Sequence, residues 1–412
     1  MKKLLIVFVV FLMVCSTIFA NGVSEETTKD QRVEILFWHT FSEGAELDNF
    51  NEVVKQFEVE NPMIKVNSVR MPYEGLQQQV ITAVAGGSAP DVMRMDIIWM
   101  GKMASMGALA SLDEMQNFDQ YKENALPVPL STNFIKDHYY GLPLGTNTTL
   151  AIWNKDLLKE NNITYIPKTI DELEKVAKEY SNPEEEKYFF TIGGTYCWTM
   201  LPWIWSLGGD ISSPDFTRAT GYLDSPQTIA ALKRIASWYQ AGLISPAIIG
   251  GQPDAWTAAS SGLLPLTIEG PWFITKVDTP FEREVSLIPS GKGGSKSIVG
   301  GEDLVLFKDS KHPKEAWKFV QYLLSDKAQL KMAEAGMIPT TKTAIEKLDT
   351  SETPFLDTFI KQLESTKIRI PSKNFTEIDN YLIVVFEKII RGELSAEDAL
   401  TEAAIKVDEL LK

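Results

Sequence analysis

Tyr140-Gly-Leu-Pro-Leu-Gly-Thr-Asn-Thr-Thr-Leu-Ala-Ile-Trp-Asn-Lys-Asp156 is the stretch on which the reading of this chain turns. A break at 145–150 falls inside it, and alternating strands and helices lie on both sides. Upstream, 33–38 reads as a first strand, mostly apolar and so buried on both faces. Ser42 is the expected cap of a helix whose apolar positions Leu47, Phe50, Val54 and Phe57 fall on one face, and Asn61-Pro62 stops it. A second strand over 64–70 leads to a helix over 73–85, ended by Gly86-Gly87. A third strand over 91–95 precedes a helix over 97–106, stopped by Gly107. This order predicts an α/β fold with a mainly parallel sheet.

The same order resumes downstream. A strand over 150–153 is followed by a helix over 169–180, with Thr169 and Glu172 at capping-box spacing. Ser225-Pro226 starts a helix with Ile229, Leu232, Ile235 and Tyr239 on one face, ended by Gly242. A strand over 264–268 runs into Glu269-Gly-Pro-Trp272, and 291–294 is a glycine-rich break. His312-Pro313 opens a helix carrying Trp317, Val320 and Leu324. An amphipathic helix over 395–411, capped by Ser395, closes the chain. Two α/β lobes follow from this, with breaks at 145–150 and 296–302.

The first residues read as an export signal. Lys2 and Lys3 precede an unbroken apolar run over 4–14, and Ala20 closes a cleavage site, so 1–20 is a signal peptide, too short to span a membrane as a helix. Cys15 offers lipidation as an alternative, but Val14 has the wrong size for that site, and cleavage after Ala20 is preferred. The polar segment 21–31 is a linker in either case. Cleavage leaves Cys197 as the sole cysteine, which excludes an intramolecular disulfide and a cysteine-built metal cluster. No second apolar run of roughly eighteen residues follows, so the mature chain reads as soluble. Of 412 residues, those left suffice for two or more domains. Loss of two lysines takes the balance from 40 basic against 55 acidic residues to 38 against 55, a formal charge of −17. That acidity argues against nucleic acid and anionic membranes as partners.

Motifs of catalysis and cofactor binding are missing. The three histidines, His39, His138 and His312, form no His-Glu-x-x-His, and neither Cys-x-x-Cys nor Gly-x-Ser-x-Gly occurs. Gly291-Lys-Gly-Gly-Ser-Lys-Ser297 fails as a phosphate loop, because Ser295 stands where glycine is needed, and reads as a flexible turn. No carboxylate pair is singled out for glycoside hydrolysis. Neither a cofactor nor a metal is expected, and the chain does not read as an enzyme.

What remains is aromatic: ten tryptophans. Aromatic faces pack against the C–H faces of sugar rings, and sugar hydroxyls need fixed donors and acceptors. Trp153, Trp238 and Trp317 sit on apolar faces and are assigned to the core. Trp38, Trp99, Trp198 and Trp272 sit at strand ends or in loops, where α/β sheets place ligands.

At this point the chain resembles the family 1 extracellular solute-binding proteins, the maltose-binding-protein type that serves bacterial ATP-binding-cassette importers. The resemblance rests on Ile35-Leu-Phe-Trp-His39, Gly86-Gly-Ser-Ala-Pro-Asp-Val92, Gly107-Ala-Leu-Ala-Ser-Leu-Asp113 and Tyr140-Gly-Leu-Pro-Leu144 with Trp153-Asn-Lys-Asp156. It continues through Pro167-Lys-Thr-Ile-Asp-Glu-Leu173, Ser206-Leu-Gly-Gly-Asp210, Glu269-Gly-Pro-Trp272, Gly300-Gly301 and Ala316-Trp-Lys-Phe-Val320, to Gly336-Met-Ile-Pro339. It implies a two-lobed periplasmic-binding-protein fold, type II-like, each lobe a mainly parallel sheet flanked by helices. The N-lobe would comprise 32–147 plus 302–342 and the C-lobe 148–301 plus 343–412, joined by hinge crossings at 146–150, 296–302 and 338–343. A monomer outside the cytoplasm would close on a mono- or oligosaccharide and deliver it to the membrane permease subunits of the importer.

The resemblance also assigns ligand contacts. Trp38, His39 and Glu43 follow the first strand, and Asp96 and Trp99 the third. Asn147 falls where the maltose binder has a cleft glutamate, and Trp198 where it stacks a tyrosine. Trp272 matches its Gly-Pro-Trp turn, and Glu302 and Asp303 lie at a hinge. Ile98 and Trp99 replace that binder's acidic and arginine pair, which counts against maltose itself. Two alternatives stay open: the same fold holding glycerol phosphate or a polyamine, and a secreted glycosidase.

Overall fold

The computed structural model describes residues 32–412. The signal peptide expected over 1–20, Cys15 and the linker over 21–31 lie outside the described residues. The chain begins with β1 (Val33–His39), β2 (Ile64–Arg70) and β3 (Val92–Asp96), separated by helices Ala45–Glu60 and Leu76–Ala85. A short hairpin, β4 (Phe134–Ile135) and β5 (His138–Tyr139), precedes β6 (Leu142–Asn147) and β7 (Leu150–Asn154). Then come β8 (Leu266–Glu269), β9 (Arg283–Ser286), β10 (Ser297–Ile298), β11 (Gly300–Leu306) and β12 (Thr366–Lys367).

The first sheet has the order β2-β1-β3-β11-β6. β1 runs parallel to β2 and β3, and β11 is inserted antiparallel between β3 and β6. The second sheet, β8-β7-β9, is antiparallel throughout. The fold is α/β, but the second lobe's sheet departs from the mainly parallel expectation. Leu150, Ala151, Ile152 and Trp153 are all buried. An apolar strand buried on both faces suits neighbours of either direction, so direction was not legible locally.

The two sheets meet at adjacent links. Thr148 and Thr149 join β6 to β7, and Val299 joins β10 to β11. Ser297 Oγ lies 2.7 Å from Thr148 Oγ1 and 3.0 Å from Thr149 Oγ1, tying the links together inside the protein. Leu150, Val299 and Ile338 pack in one apolar cluster with Leu356 and Phe359. Gly300 and Gly301, placed by sequence on the C-lobe side of the hinge, instead pair with Asn147 and Thr146 in the first sheet.

Each half has its own core. Phe37, Phe41, Phe50, Phe57 and Phe319 pack beneath the first sheet, and Trp153, Phe189, Phe190, Trp203 and Trp238 beneath the second. Trp153, Trp238 and Trp317 are buried as expected. Thr169 and Glu172 form the capping box, and Ser225 and Ser395 cap their helices. Ser42 does not cap: the first helix begins at Ala45 behind Gly44, whose φ is 88°. The Ser42 backbone N–H instead donates to the Glu46 carboxylate at 2.9 Å. Among the described residues no helix is long and apolar enough to cross a membrane.

Candidate functional site

A cavity of about 200 Å³ lies between the two halves. Its first wall is the loop after β1, which brings Thr40, Ser42 and Glu46, together with Tyr73 beyond β2, Arg94 of β3 and Glu302 of β11. The opposite wall is the helix Pro271–Lys276, fed directly by β8, which presents Trp272, Thr275 and Lys276. Asn147, at the end of β6, and residues 335–338 complete it beside the links.

Arg94 is the centre of the first wall. Its residue exposure is only 7%, and its guanidinium is surrounded by partners, as a buried charge requires. It bonds Glu302 at 2.7 Å and Thr40 Oγ1 at 2.5 Å, and it lies over the Phe41 ring at 4.5 Å. Strand register explains the pair: β3 and β11 are antiparallel neighbours with Asp96 opposite Glu302, which puts Arg94 one diagonal step away on the same face. Burial raises the Glu302 pKa, and the Arg94 charge opposes that rise. Arg94 Nε and Asn147 Oδ1 are buried and without a hydrogen-bond partner among the described residues.

Lys276 spans the halves. Its ammonium donates to Ser42 Oγ at 2.8 Å and pairs with Glu46 at 3.1 Å. Burial pushes the Glu46 carboxyl up, but the Ser42 N–H and Lys276 outweigh it and hold the group below its usual value.

Trp272 is fixed from behind. Its Nε1–H donates to Glu269 Oε2 at 3.0 Å, and the Gly270 N–H donates to the same oxygen at 3.3 Å. Burial pushes Glu269 up to about 7 against the lowering effect of those bonds. The Trp272 ring leans on Trp198, with centroids 6.0 Å apart at 34°. The Arg369 guanidinium lies over the other aromatic of that pair, Trp198, at 5.3 Å.

Of the sequence-predicted contacts, Asn147, Trp272 and Glu302 line the cavity. Asp96 stands one bond behind it, accepting from Tyr73 Oη–H at 2.8 Å and from the Ile98 N–H at 2.9 Å. Burial, then the Asp96 charge, pushes the Tyr73 phenol up. Trp198 stands behind Trp272.

The other five lie elsewhere. Trp99 is buried behind Tyr73, stacked at 5.5 Å. His39 is 1% exposed, packed among Phe37, Phe41 and Phe50. It accepts the Phe41 N–H at Nδ1, and burial with nearby Arg94 and Arg70 lowers it to about 4, so it is neutral. Strand parity gives the reason, since His39 shares a face with buried Ile35 and Phe37. Trp38 points to the other face and packs with the cluster of Met93 and Met95. Glu43 projects into solvent and pairs with Arg70 at 3.1 Å. Asp303 is fully buried on the face opposite Glu302, accepting from Asn133 Nδ2 at 2.8 Å and Thr132 Oγ1 at 3.2 Å. Burial pushes it up to about 8.

Sequence reasoning did not select Thr40, Glu46, Tyr73, Arg94, Thr275 or Lys276. Two had a local signal. Arg94 is the lone charge within an otherwise apolar Val92–Met95 run, and Lys276 lies four residues after Trp272, on the same helical face.

Two α/β halves around a cavity with an aromatic wall and a charged, hydrogen-bonding wall define a binding protein for a small polar solute. Residues 42–330 match the family of bacterial extracellular solute-binding proteins, and the chain belongs to that family. A maltotriose-binding protein of Pyrococcus abyssi is 27% identical over 331 residues, 78% of this chain and 70% of that relative. A multiple sugar-binding protein of Streptococcus mutans is 27% identical over 350 residues, 77% of each. The GacH receptor of Streptomyces glaucescens, solved unliganded and with acarbose, has the same fold, with a TM-score of 0.79 at 24% identity over 92% of this chain and 98% of that one.

Proposed function

We propose that this protein is the extracytoplasmic substrate-binding subunit of an ATP-binding-cassette importer, and that it takes a sugar into the cavity between its halves. The arrangement that carries this reading is one cavity lined by Trp272, the paired Arg94 and Glu302, and Asn147. A pyranose presents C–H groups to an aromatic face and hydroxyls to its edges, and this cavity offers both surfaces. The sugar-binding relatives support the same reading.

Binding is coupled to hinge closure. A ligand touching both walls stabilises the closed arrangement by the contacts it makes only there. We place one lobe at 32–147 with 300–342 and the other at 148–299 with 343–412, following the sheet membership of Gly300 and Gly301. The closed monomer delivers its ligand to the permease, and the protein binds its ligand without converting it. Export by cleavage after Ala20 fits an extracytoplasmic solute binder.

A thermal-unfolding panel of sugars, sugar phosphates and polyamines tests this. A ligand at a hundred times its dissociation constant stabilises by about 2.7 kcal/mol, which moves the midpoint by several degrees. A shift with sugars supports the reading. A shift only with a polyamine or a phosphate ester refutes the sugar assignment and leaves the binding fold intact.

A further inference from the structure

We infer that the ligand is a single neutral sugar ring rather than an oligosaccharide or a charged solute. This rests on the sugar-binding reading and narrows it.

Size is the first argument. Clefts for drug-sized ligands run to roughly 300–1,000 Å³, and this cavity is about 200 Å³. Lys276 ties Ser42 and Glu46 across it, so the volume belongs to the joined arrangement of the halves. The Met337 Cε atom closes on the backbone at Gly145, where even an added methyl group would sit 2.9 Å away. Trp198 adds no second platform: at 6.0 Å its ring is in contact with Trp272, which leaves no gap for a sugar between them. A longer glycan needs successive platforms for successive rings.

Charge is the second argument. The acidic and basic side chains that line the cavity are Glu46, Lys276, Arg94 and Glu302, two acids and two bases, and they are already paired with one another. An anionic ligand would have to take Arg94 from Glu302 or Lys276 from Glu46 and strand a carboxylate. A polyamine would strand a base in the same way. Breaking the Arg94–Glu302 pair in either way leaves a poorly solvated charge unpaired.

Hydrogen-bond demand is the third. Arg94 and Asn147 both line the cavity, and Arg94 Nε and Asn147 Oδ1 are buried without a hydrogen-bond partner among the described residues. A hydroxyl both donates and accepts, so the hydroxyls of a neutral ring suit a lining that offers an amide beside a guanidinium.

The test is titration calorimetry on the full mature protein. The probes are glucose, galactose, mannose, xylose, arabinose and fructose, set against maltotriose, glucuronate, glucose 6-phosphate and putrescine. At least one neutral monosaccharide is expected to bind saturably, at least a hundredfold tighter than every other class. Maltotriose binding as tightly as the best monosaccharide overturns the single-ring inference and leaves the sugar reading standing. Binding by putrescine alone overturns both. Binding by glucuronate or glucose 6-phosphate in preference to neutral sugars overturns neutrality, and saturable binding by no neutral monosaccharide overturns the inference outright. Asn147→Ala is expected to lose at least tenfold in affinity for the bound monosaccharide with its ligand-free melting point unchanged. Unchanged affinity removes Asn147 from the contact set.

Discussion

Glu269 stands at the back of the aromatic wall, accepting the Trp272 indole N–H beneath a desolvating environment that raises it from 4.5 to about 7. Burial, then the Glu269 charge, pushes the nearby Tyr196 phenol up to about 12. Below pH 4.5 the carboxyl is protonated whether the chain is folded or not, and it contributes nothing to the pH dependence. Between 4.5 and about 7 the unfolded chain ionises while the folded one keeps its proton. The folded state then binds more protons, and stability from this group falls as pH rises. Glu269→Gln keeps an acceptor for Trp272 and cannot ionise. Its melting temperature is expected to fall less than that of the parent between pH 4.5 and 7.5, and to exceed it at the upper end. Superimposable pH profiles for the two proteins would refute the raised carboxyl. At this scale the sequence singled out Trp272 and Asn147 but misjudged His39 and Asp303. For His39, parity with Ile35 and Phe37 was the local clue. For Asp303 the deciding partners, Asn133 and Thr132, are supplied by a remote segment.

The first two residues of β11 show what an element contributes to the site. A Cβ on Gly300 would lie 2.2 Å from Asn147 Oδ1 and 2.8 Å from the Trp198 ring. Gly301, at φ +134°, would set one 2.3 Å from the Gly145 carbonyl oxygen. Glycine at 300 thus lets the strand pass beneath Asn147, which lines the cavity, and Trp198, which backs Trp272. Gly300→Ala is expected to displace Asn147 and Trp198, to cost about 1–3 kcal/mol of stability as an overpacked site, and to weaken ligand binding at least tenfold. Denaturant unfolding and calorimetry read the two effects, and full affinity in a folded variant would show that Asn147 does not depend on this clearance. Other elements were set by local chemistry. Thr169 with Glu172, Ser225 with Pro226, and Ser395 mark helix starts because a side-chain oxygen there satisfies an otherwise orphaned N–H. Ser42 misled because Gly44 gives the chain the backbone turn that begins its helix.

Across the whole molecule, the halves are held by two kinds of contact. Buried links at Thr148, Thr149 and Val299 join the two sheets, while Lys276 reaches over the cavity to Ser42 and Glu46. The reach is partly solvent-exposed, so it is weak, of the order of 0.2–1 kcal/mol. Lys276→Ala is expected to loosen the ligand by no more than about fivefold and to enlarge the radius of gyration of the ligand-free protein in solution scattering. High salt should diminish the difference between the two proteins. If scattering from parent and variant coincides at low salt, Lys276 does not hold the halves together.

What the sequence determined by itself follows from local physics: apolar period, caps, proline and glycine stops, and the buried core tryptophans. These depend on neighbours three or four residues away. Strand direction in the second sheet, the insertion of β11 between β3 and β6, and the meeting of Arg94 with Glu302 were decided only by tertiary structure. Each depends on segments brought together from far along the chain, as Glu302 of β11 is set beside Arg94 of β3. The cavity is therefore a property of the assembled fold, and the side chains that line it carry no common mark in the sequence.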